Sequence, residues 1–413
     1  MVCEYLKKHQ FEPAISSIPA ISPRMIVVIP ANNEPELLNS LQALYRCNRP
    51  LCRVEVIVVI NHCEQATKKV KQQNEKSLNE SKEWIKSHND NSLQFNLIYK
   101  SDVPVKYSGV GFARKTGMDE AVYRFQQAKV NDGVIIGFDA DSTCDENYFV
   151  EIERHFFSGK KINGASIYFE HPMQEDKFEA KICEGIALYE LHLRYLIQAL
   201  RYAGFPYAYH TVGSSFAVSA NAYVKQGGMN KRKAGEDFHF LHKIIPLGNY
   251  IEINTTRVIP SPRQSNRVPF GTGASIRKWM DGDNESLHTY PLELFDDLKE
   301  LFSIVPQLFH TDMQTIEKLC SLLPKTVFYY LLQNDYLKHI LQSNANSASN
   351  EAFIKRFFGW FDALKTVKYL NSSNLKQSTF NNANALLQKL GHEKEYCLME
   401  LLKKYRKMEK DLI

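Results

Sequence analysis

The sequence predicts an α/β protein with a mostly parallel central sheet flanked by helices, followed by a helical C-terminal appendage. Three observations predict it. Short, nearly continuous apolar runs at 24–30, 54–60, 95–99 and 133–138 read as strands buried on both faces. Stretches of helical spacing separate them, such as Leu37, Leu38, Leu41 and Leu44 after the first run. From about Trp279 onward Gly and Pro become scarce and the pattern stays helical. Alternating strands and helices require crossover connections, and hence parallel pairing. The 413 residues divide accordingly into a lead-in over 1–23, an α/β domain over 24–284 and a helical region over 285–413.

Taken in order, the lead-in lacks periodicity, and Pro23 marks where order is expected to begin. Residues 65–91 are rich in Lys, Gln, Asn and Glu and predict a solvent-facing helix. Residues 109–125 combine Gly-rich turn chemistry with helical spacing. In the second half, 165–169 reads as a strand and 178–202 as a long amphipathic helix. A strand of small residues follows over 211–219, then a short helix over 222–228. Gly235-Glu236-Asp237 opens a helix over 238–245, 251–259 alternates as a strand, and 261–273 reads as a loop rich in Pro, Arg, Ser and Gly. The Asn- and Ser-rich stretch 342–350 is expected to be a mobile loop.

Composition narrows the function classes. With 44% hydrophobic residues the chain can bury a sizeable core. A formal net charge of +5 is modest, and no dense basic stretch precedes the last dozen residues, so nucleic acid is not an expected partner. A slightly basic enzyme suits an anionic substrate such as a nucleotide sugar. The eight cysteines are scattered without a C-x-x-C pair, which argues against a zinc ribbon and against a disulfide-dense module. With no apolar leader and no run of membrane-spanning length, the expected setting is cytoplasmic. Lys403, Lys404, Arg406, Lys407 and Lys410 make a basic terminus, read as a solvated helix end, with peripheral contact to anionic lipid as the alternative.

The chemistry gathers at strand ends. Asp139-Ala140-Asp141 follows the fourth apolar run, and on a continuing strand both carboxylates would face one side. Such a pair suits Mg²⁺ or Mn²⁺, and its plainer reading is a turn or helix cap. Pro30-Ala31-Asn32-Asn33-Glu34 ends the first run and Asn61-His62 the second, offering amides and a carboxylate to a base or ribose. Residues 108–115, with Gly109, Gly111, Arg114 and Lys115, would cradle a diphosphate at a helix start. Otherwise the glycines form a tight turn and the two cations a solvated helix face.

The order of these loops resembles glycosyltransferase family 2, inverting enzymes with the GT-A fold. The resemblance is carried by 28–34, Gly111-Phe112-Ala113-Arg114-Lys115-Thr116-Gly117, Asp139-Ala140-Asp141 and Gly235-Glu236-Asp237, within residues 24–270. It implies transfer of one sugar from a nucleotide-diphosphate sugar to a small-molecule or lipid-linked hydroxyl acceptor. It further implies a divalent metal at Asp141, with Asp139 on the ribose or the metal's waters, and Asp237, beside Glu236, as general base. The alternative for Asp237 is a helix N-cap. Arg263 and Arg267 stand where related enzymes place a basic loop over the diphosphate, an exposed connection being the other reading. His239, and less so His210, is a candidate to complete the metal shell, although single histidines are usually structural. Two departures stand out. Asn61 occupies a position where many members carry an acid, and Gln264 and Arg267 are followed by Val268 rather than tryptophan, which argues against a polymerising synthase. The competing readings are a nucleotidyltransferase acting on sugar phosphates, which would carry a Gly-rich loop directly after the first strand, and an inactive GT-A domain used for binding.

Overall fold

Strands form where the apolar runs lie. The computed structural model describes residues 2–19, 22–173, 178–265 and 271–411, and its first four strands are β1 (Pro23–Ala31), β2 (Arg53–Cys63), β3 (Leu93–Val103) and β4 (Val134–Gly137). They pair in parallel in the order β3-β2-β1-β4, with Val28 opposite Ile57 on one side and Gly137 on the other. Met25, Ile26, Val27, Val28 and Ile29 are fully buried, as are Val56, Ile57, Val58, Val59 and Ile60, so both faces need covering. The covering helices in this half are α1 (Val2–Lys8), α2 (Leu37–Arg46), α3 (Lys68–His88) and α4 (Val110–Gln127). Helix α4 lies close on the sheet because Gly117 faces it. A Cβ there would sit 2.5 Å from Val28 Cγ1 and 3.0 Å from Val59 Cγ2.

The remaining strands are β5 (Thr143–Cys144), β6 (Gly164–Phe169), β7 (Phe216–Ser219) and β8 (Tyr250–Ile259), completing an eight-stranded sheet in the order β3-β2-β1-β4-β7-β6-β8-β5. Strand β7 runs antiparallel to both neighbours, β6 and β8 are parallel, and β5 reverses again at the edge. The helices between them are α5 (Tyr148–Phe156), α6 (Ala180–Tyr202), α7 (Ala220–Lys225) and α8 (Glu236–Ile244).

Four expectations need correction. The lead-in is ordered: Tyr5 Oη donates to Asp119 Oδ1 at 2.6 Å, the Ala14 amide to Glu120 Oε2 at 2.8 Å, and Arg124 Nη1 to the Ser17 carbonyl at 2.9 Å, all on α4. These tertiary bonds replace the missing periodicity. The strand expected over 211–219 covers only Phe216–Ser219, because the Ser215 amide turns back to the Val212 carbonyl at 3.0 Å. The D-x-D pair does not extend a strand. The ladder stops at Gly137, and the Ser142 amide closes a turn onto the Asp139 carbonyl at 3.1 Å. The stretch 342–350 is a loop only over 346–349: the helix Tyr336–Ala345 takes in its start, and Ser349 caps the helix Asn350–Trp360 through the Ala352 amide.

By mutual contact the chain falls into two compact units. One takes in Met1–Gln174 and Thr211–Ala274 and contains every strand. The other takes in Glu175–His210 and Ser275–Leu412 and is helical, with α6 packed on the helices Leu292–Ile304, Thr379–Lys389 and Leu398–Lys410. Within the helical unit, buried Arg194 pairs with Glu190 at 2.9 Å and with Glu409, which also meets His210 Nε2 at 2.9 Å. His210 is thus engaged in this network.

Candidate active site

Three acids converge on one arginine. Arg114, near the start of α4, is 2% exposed. Its Nε donates to Glu236 Oε1 at 2.9 Å, Nη1 to the Gly213 carbonyl at 2.7 Å and Nη2 to Asp139 Oδ1 at 2.5 Å. Asp139 comes from the turn after β4, Gly213 from the turn before β7, and Glu236 opens α8. Gly235 admits this geometry by taking φ +67°, a region that disfavours side chains. Gly213 is needed for space: a Cβ there would lie 2.4 Å from Arg114 Nη2 and 2.9 Å from Asp237 Oδ2. Asp237 Oδ1 accepts from the Phe238 amide at 2.7 Å, and the residue is half-buried.

One guanidinium therefore faces three carboxylates. Burial works against the charge on Arg114, but Asp139, Glu236 and Asp237 outweigh it and raise its pKa. The acids compete in turn. Burial pushes Glu236 up to about 7, with Arg114 pulling down and the Asp237 charge pushing up. Burial also raises Asp237, against the pull of Arg114 and the Phe238 amide, and the Asp139 charge adds to the rise. A proton held at this acid pair relieves the repulsion, and a raised carboxyl is a stronger base than an ordinary one.

A second cluster surrounds Arg263. Its Nη2 lies 2.8 Å from each oxygen of Glu34 and 3.8 Å from Asp141 Oδ2, its Nη1 is 3.4 Å from Glu36 Oε1, and its Nε donates to Ser261 Oγ at 3.1 Å. Glu34 is buried, which explains why it takes a guanidinium partner. Pro30 and Ala31 complete β1, and Asn33 follows with φ +52°, its amide donating to Asn74 Oδ1 at 2.7 Å. Asn74 Nδ2 also donates to the Asn61 carbonyl at 3.2 Å, so α3 ties together the ends of β1 and β2. Asn61 lies within β2 and is buried, as is His62, whose Nε2 is 3.2 Å from Tyr99 Oη.

Other expected site residues stand differently. Arg114 and Lys115 are neither a solvated face nor open to a diphosphate. Lys115 is buried, 2.9 Å from Asp119 Oδ2 and 3.1 Å from Tyr5 Oη. The glycine cradle is filled by backbone, since a Cβ on Gly109 would lie 2.7 Å from Lys233 Cα, and one on Gly111 2.3 Å from the Arg232 carbonyl oxygen. Arg267 lies outside the described residues. His239 follows Asp237 by two positions on α8 and so points to another face, its ring packing on Phe238 at 5.4 Å. Residues not anticipated from the sequence are Gly213, Asn74, Glu36 and Ser261. The small-residue run around Gly213 was the one available signal.

Among the described residues no group of three or more His, Cys, Asp and Glu is arranged to hold a metal, so His239 does not complete a shell with Asp139 and Asp141. The two aspartates still fit a hard cation. Their side chains retain 37% and 24% exposure, and Mg²⁺ is commonly held by one or two carboxylates with substrate phosphate and water in the remaining positions.

The sequence matches no protein-family model, and no curated protein matches it. The chain is similar to solved structures that include mannosyltransferase PcManGT from Pyrobaculum calidifontis in complex with GDP-Man and Mn²⁺. That similarity covers 100% of this chain and 92% of that chain at 13% identity, with a TM-score of 0.38. S. aureus TarS 1-349 in complex with UDP-GlcNAc is similar over 94% of this chain and 88% of its own at 14% identity, with a TM-score of 0.36. Glucosyl-3-phosphoglycerate synthase from Mycobacterium tuberculosis in complex with UDP is similar over 67% and 85% at 15% identity, with a TM-score of 0.33.

Proposed function

We propose that the chain is a glycosyltransferase that moves a single sugar from a nucleotide-diphosphate sugar to a hydroxyl acceptor, with inversion at the anomeric carbon. The observation that carries this reading is the convergence of Asp139, after β4, and the acids opening α8 at the end of a strand paired in parallel with β1, where open α/β folds bind ligands. The acceptor oxygen bonds to the anomeric carbon as that carbon's bond to the diphosphate oxygen breaks, its electron pair leaving with the diphosphate. The acceptor proton passes to Asp237, which is more exposed than Glu236 and whose basicity burial raises above that of an ordinary carboxylate. A single displacement inverts the centre. Glu236 shares the local proton with Asp237 and keeps Arg114 charged. Mg²⁺ or Mn²⁺ at Asp139 and Asp141 would supply Lewis-acid neutralisation of the departing diphosphate. Pro30, Ala31, Asn33, Asn61 and Ala140 line the nucleotide side, and Arg263 stands beside Asp141 to meet phosphate oxygens once it leaves Glu34.

The acceptor class is a small or lipid-linked alcohol. Among the described residues no helix is long and apolar enough to cross a membrane, and the proposed setting is cytoplasmic, with the basic C-terminus as a peripheral contact. The test is a screen of nucleotide sugars for binding with Mn²⁺ and for release of nucleoside diphosphate. Asp141→Ala is expected to lose metal-dependent donor binding and transfer, and Asp237→Asn to keep binding and lose transfer. Near-normal turnover by Asp237→Asn removes the base assignment. A chain that binds no nucleotide sugar in Mn²⁺ removes the reading altogether.

A further inference from the structure

We infer that Arg114 is a positioning residue that fixes the acceptor-side acids against the donor-side acid, and is not a phosphate ligand. This rests on the glycosyl-transfer reading above. Each nitrogen of its guanidinium is already directed: Nε to Glu236, Nη1 to the Gly213 carbonyl, Nη2 to Asp139. The side chain is 3% exposed, and its nearest ionic surroundings are Asp139, Glu236 and Asp237, so an incoming phosphate would meet excess negative charge. Nor is the helix start open, because the Gly111 amide donates to the Arg232 carbonyl at 3.2 Å.

What the arginine does supply is a planar fork reaching three separate chain segments. Its donors leave in fixed directions, so holding Asp139 on one edge and Glu236 on the other sets the separation of the β4 turn from the start of α8. Asp237 follows from that setting: its Oδ2 and Arg114 Nη2 both lie within 3 Å of the point where a Gly213 Cβ would sit. A lysine would keep the charge but could not span the three acceptors.

The test compares Arg114→Lys and Arg114→Ala in the full chain, measuring donor affinity in Mn²⁺ separately from kcat. Arg114→Lys is expected to lose about 100-fold in kcat while donor affinity stays near that of the parent, the usual scale for an angstrom-level misplacement. Guanidinium ion should partly restore transfer to Arg114→Ala and not to Asp237→Asn. A loss confined to donor affinity, or an unchanged kcat in Arg114→Lys, would end the positioning role. If the parent protein transfers no sugar, the functional reading fails alone, and the contact is still tested by unfolding of Arg114→Met, Glu236→Met and the double variant. The double variant should unfold close to the weaker single variant, since the second change removes a partner already lost. Fully additive losses would overturn the coupling.

Discussion

Replacing Gly213 by alanine probes the narrowest point of the site with a single methyl group. The added Cβ would lie 2.4 Å from Arg114 Nη2 and 2.9 Å from Asp237 Oδ2, against a relaxed separation of about 3.5 Å. The guanidinium must withdraw by about 1 Å. Its bonds of 2.5, 2.7 and 2.9 Å cannot all survive such a move, because hydrogen bonds weaken beyond about 3.2 Å. Overpacking of this kind costs about 1–3 kcal/mol in stability, and misplacement of reacting groups by about 1 Å costs on the order of 100-fold in rate. Initial rates of nucleoside diphosphate release, read beside thermal unfolding, should show a rate loss of that order in a chain that remains folded at the assay temperature. Gly359→Ala is the control, since a Cβ there meets nothing within 4 Å and the residue lies inside the helix Asn350–Trp360. It should stabilise the chain by up to about 1 kcal/mol. Normal turnover by Gly213→Ala would refute the packing argument at its base.

Other outcomes are expected together. Because Glu236 is raised from 4.5 to about 7, the folded chain holds this proton more tightly than the unfolded one, and the group's contribution to stability falls as pH rises between those values. Glu236→Gln should flatten that decline, checked by denaturant unfolding at several pH values, and an identical slope in both proteins would contradict it. Arg124→Met leaves the fully buried Glu55 without its two-pronged partner, at about 3–5 kcal/mol by urea unfolding. Replacing Arg124 and Glu55 together by apolar residues should recover most of that loss.

Strands β1, β2 and β4 were readable because parallel strands with both faces covered leave a nearly continuous apolar run, interrupted in β2 only by Glu55, which Arg124 pairs. The end of β4 was not. Whether Asp139 and Asp141 share a strand face depends on where the ladder with β1 stops, and that is decided by a partner more than a hundred residues earlier in the chain. Arg114 and Lys115 show the same limit more sharply. On α4 they resemble any exposed cations, yet Arg114 is buried by Glu236, 122 residues downstream, and Lys115 by the N-terminal helix. Local sequence carries propensity, whereas the partner that makes a buried charge tolerable is a long-range fact.

The backbone seam at Gly109 and Gly111 gives residues 230–234 an unusual standing. Arg232 is pinned to the start of α4 by its carbonyl, and only three residues separate it from Glu236. That span behaves as a spacer of set length: one inserted residue would turn Glu236 and Asp237 off Arg114, however conservative its chemistry. The Asn230 side chain is fixed as well, bonded to the Glu236 carbonyl at 3.0 Å and the Arg232 amide at 3.0 Å, whereas the side chains of Lys231, Arg232 and Lys233 are exposed and carry no such restriction. Changes meant to alter what approaches Asp237 therefore belong in the composition of this segment, with its residue count left alone.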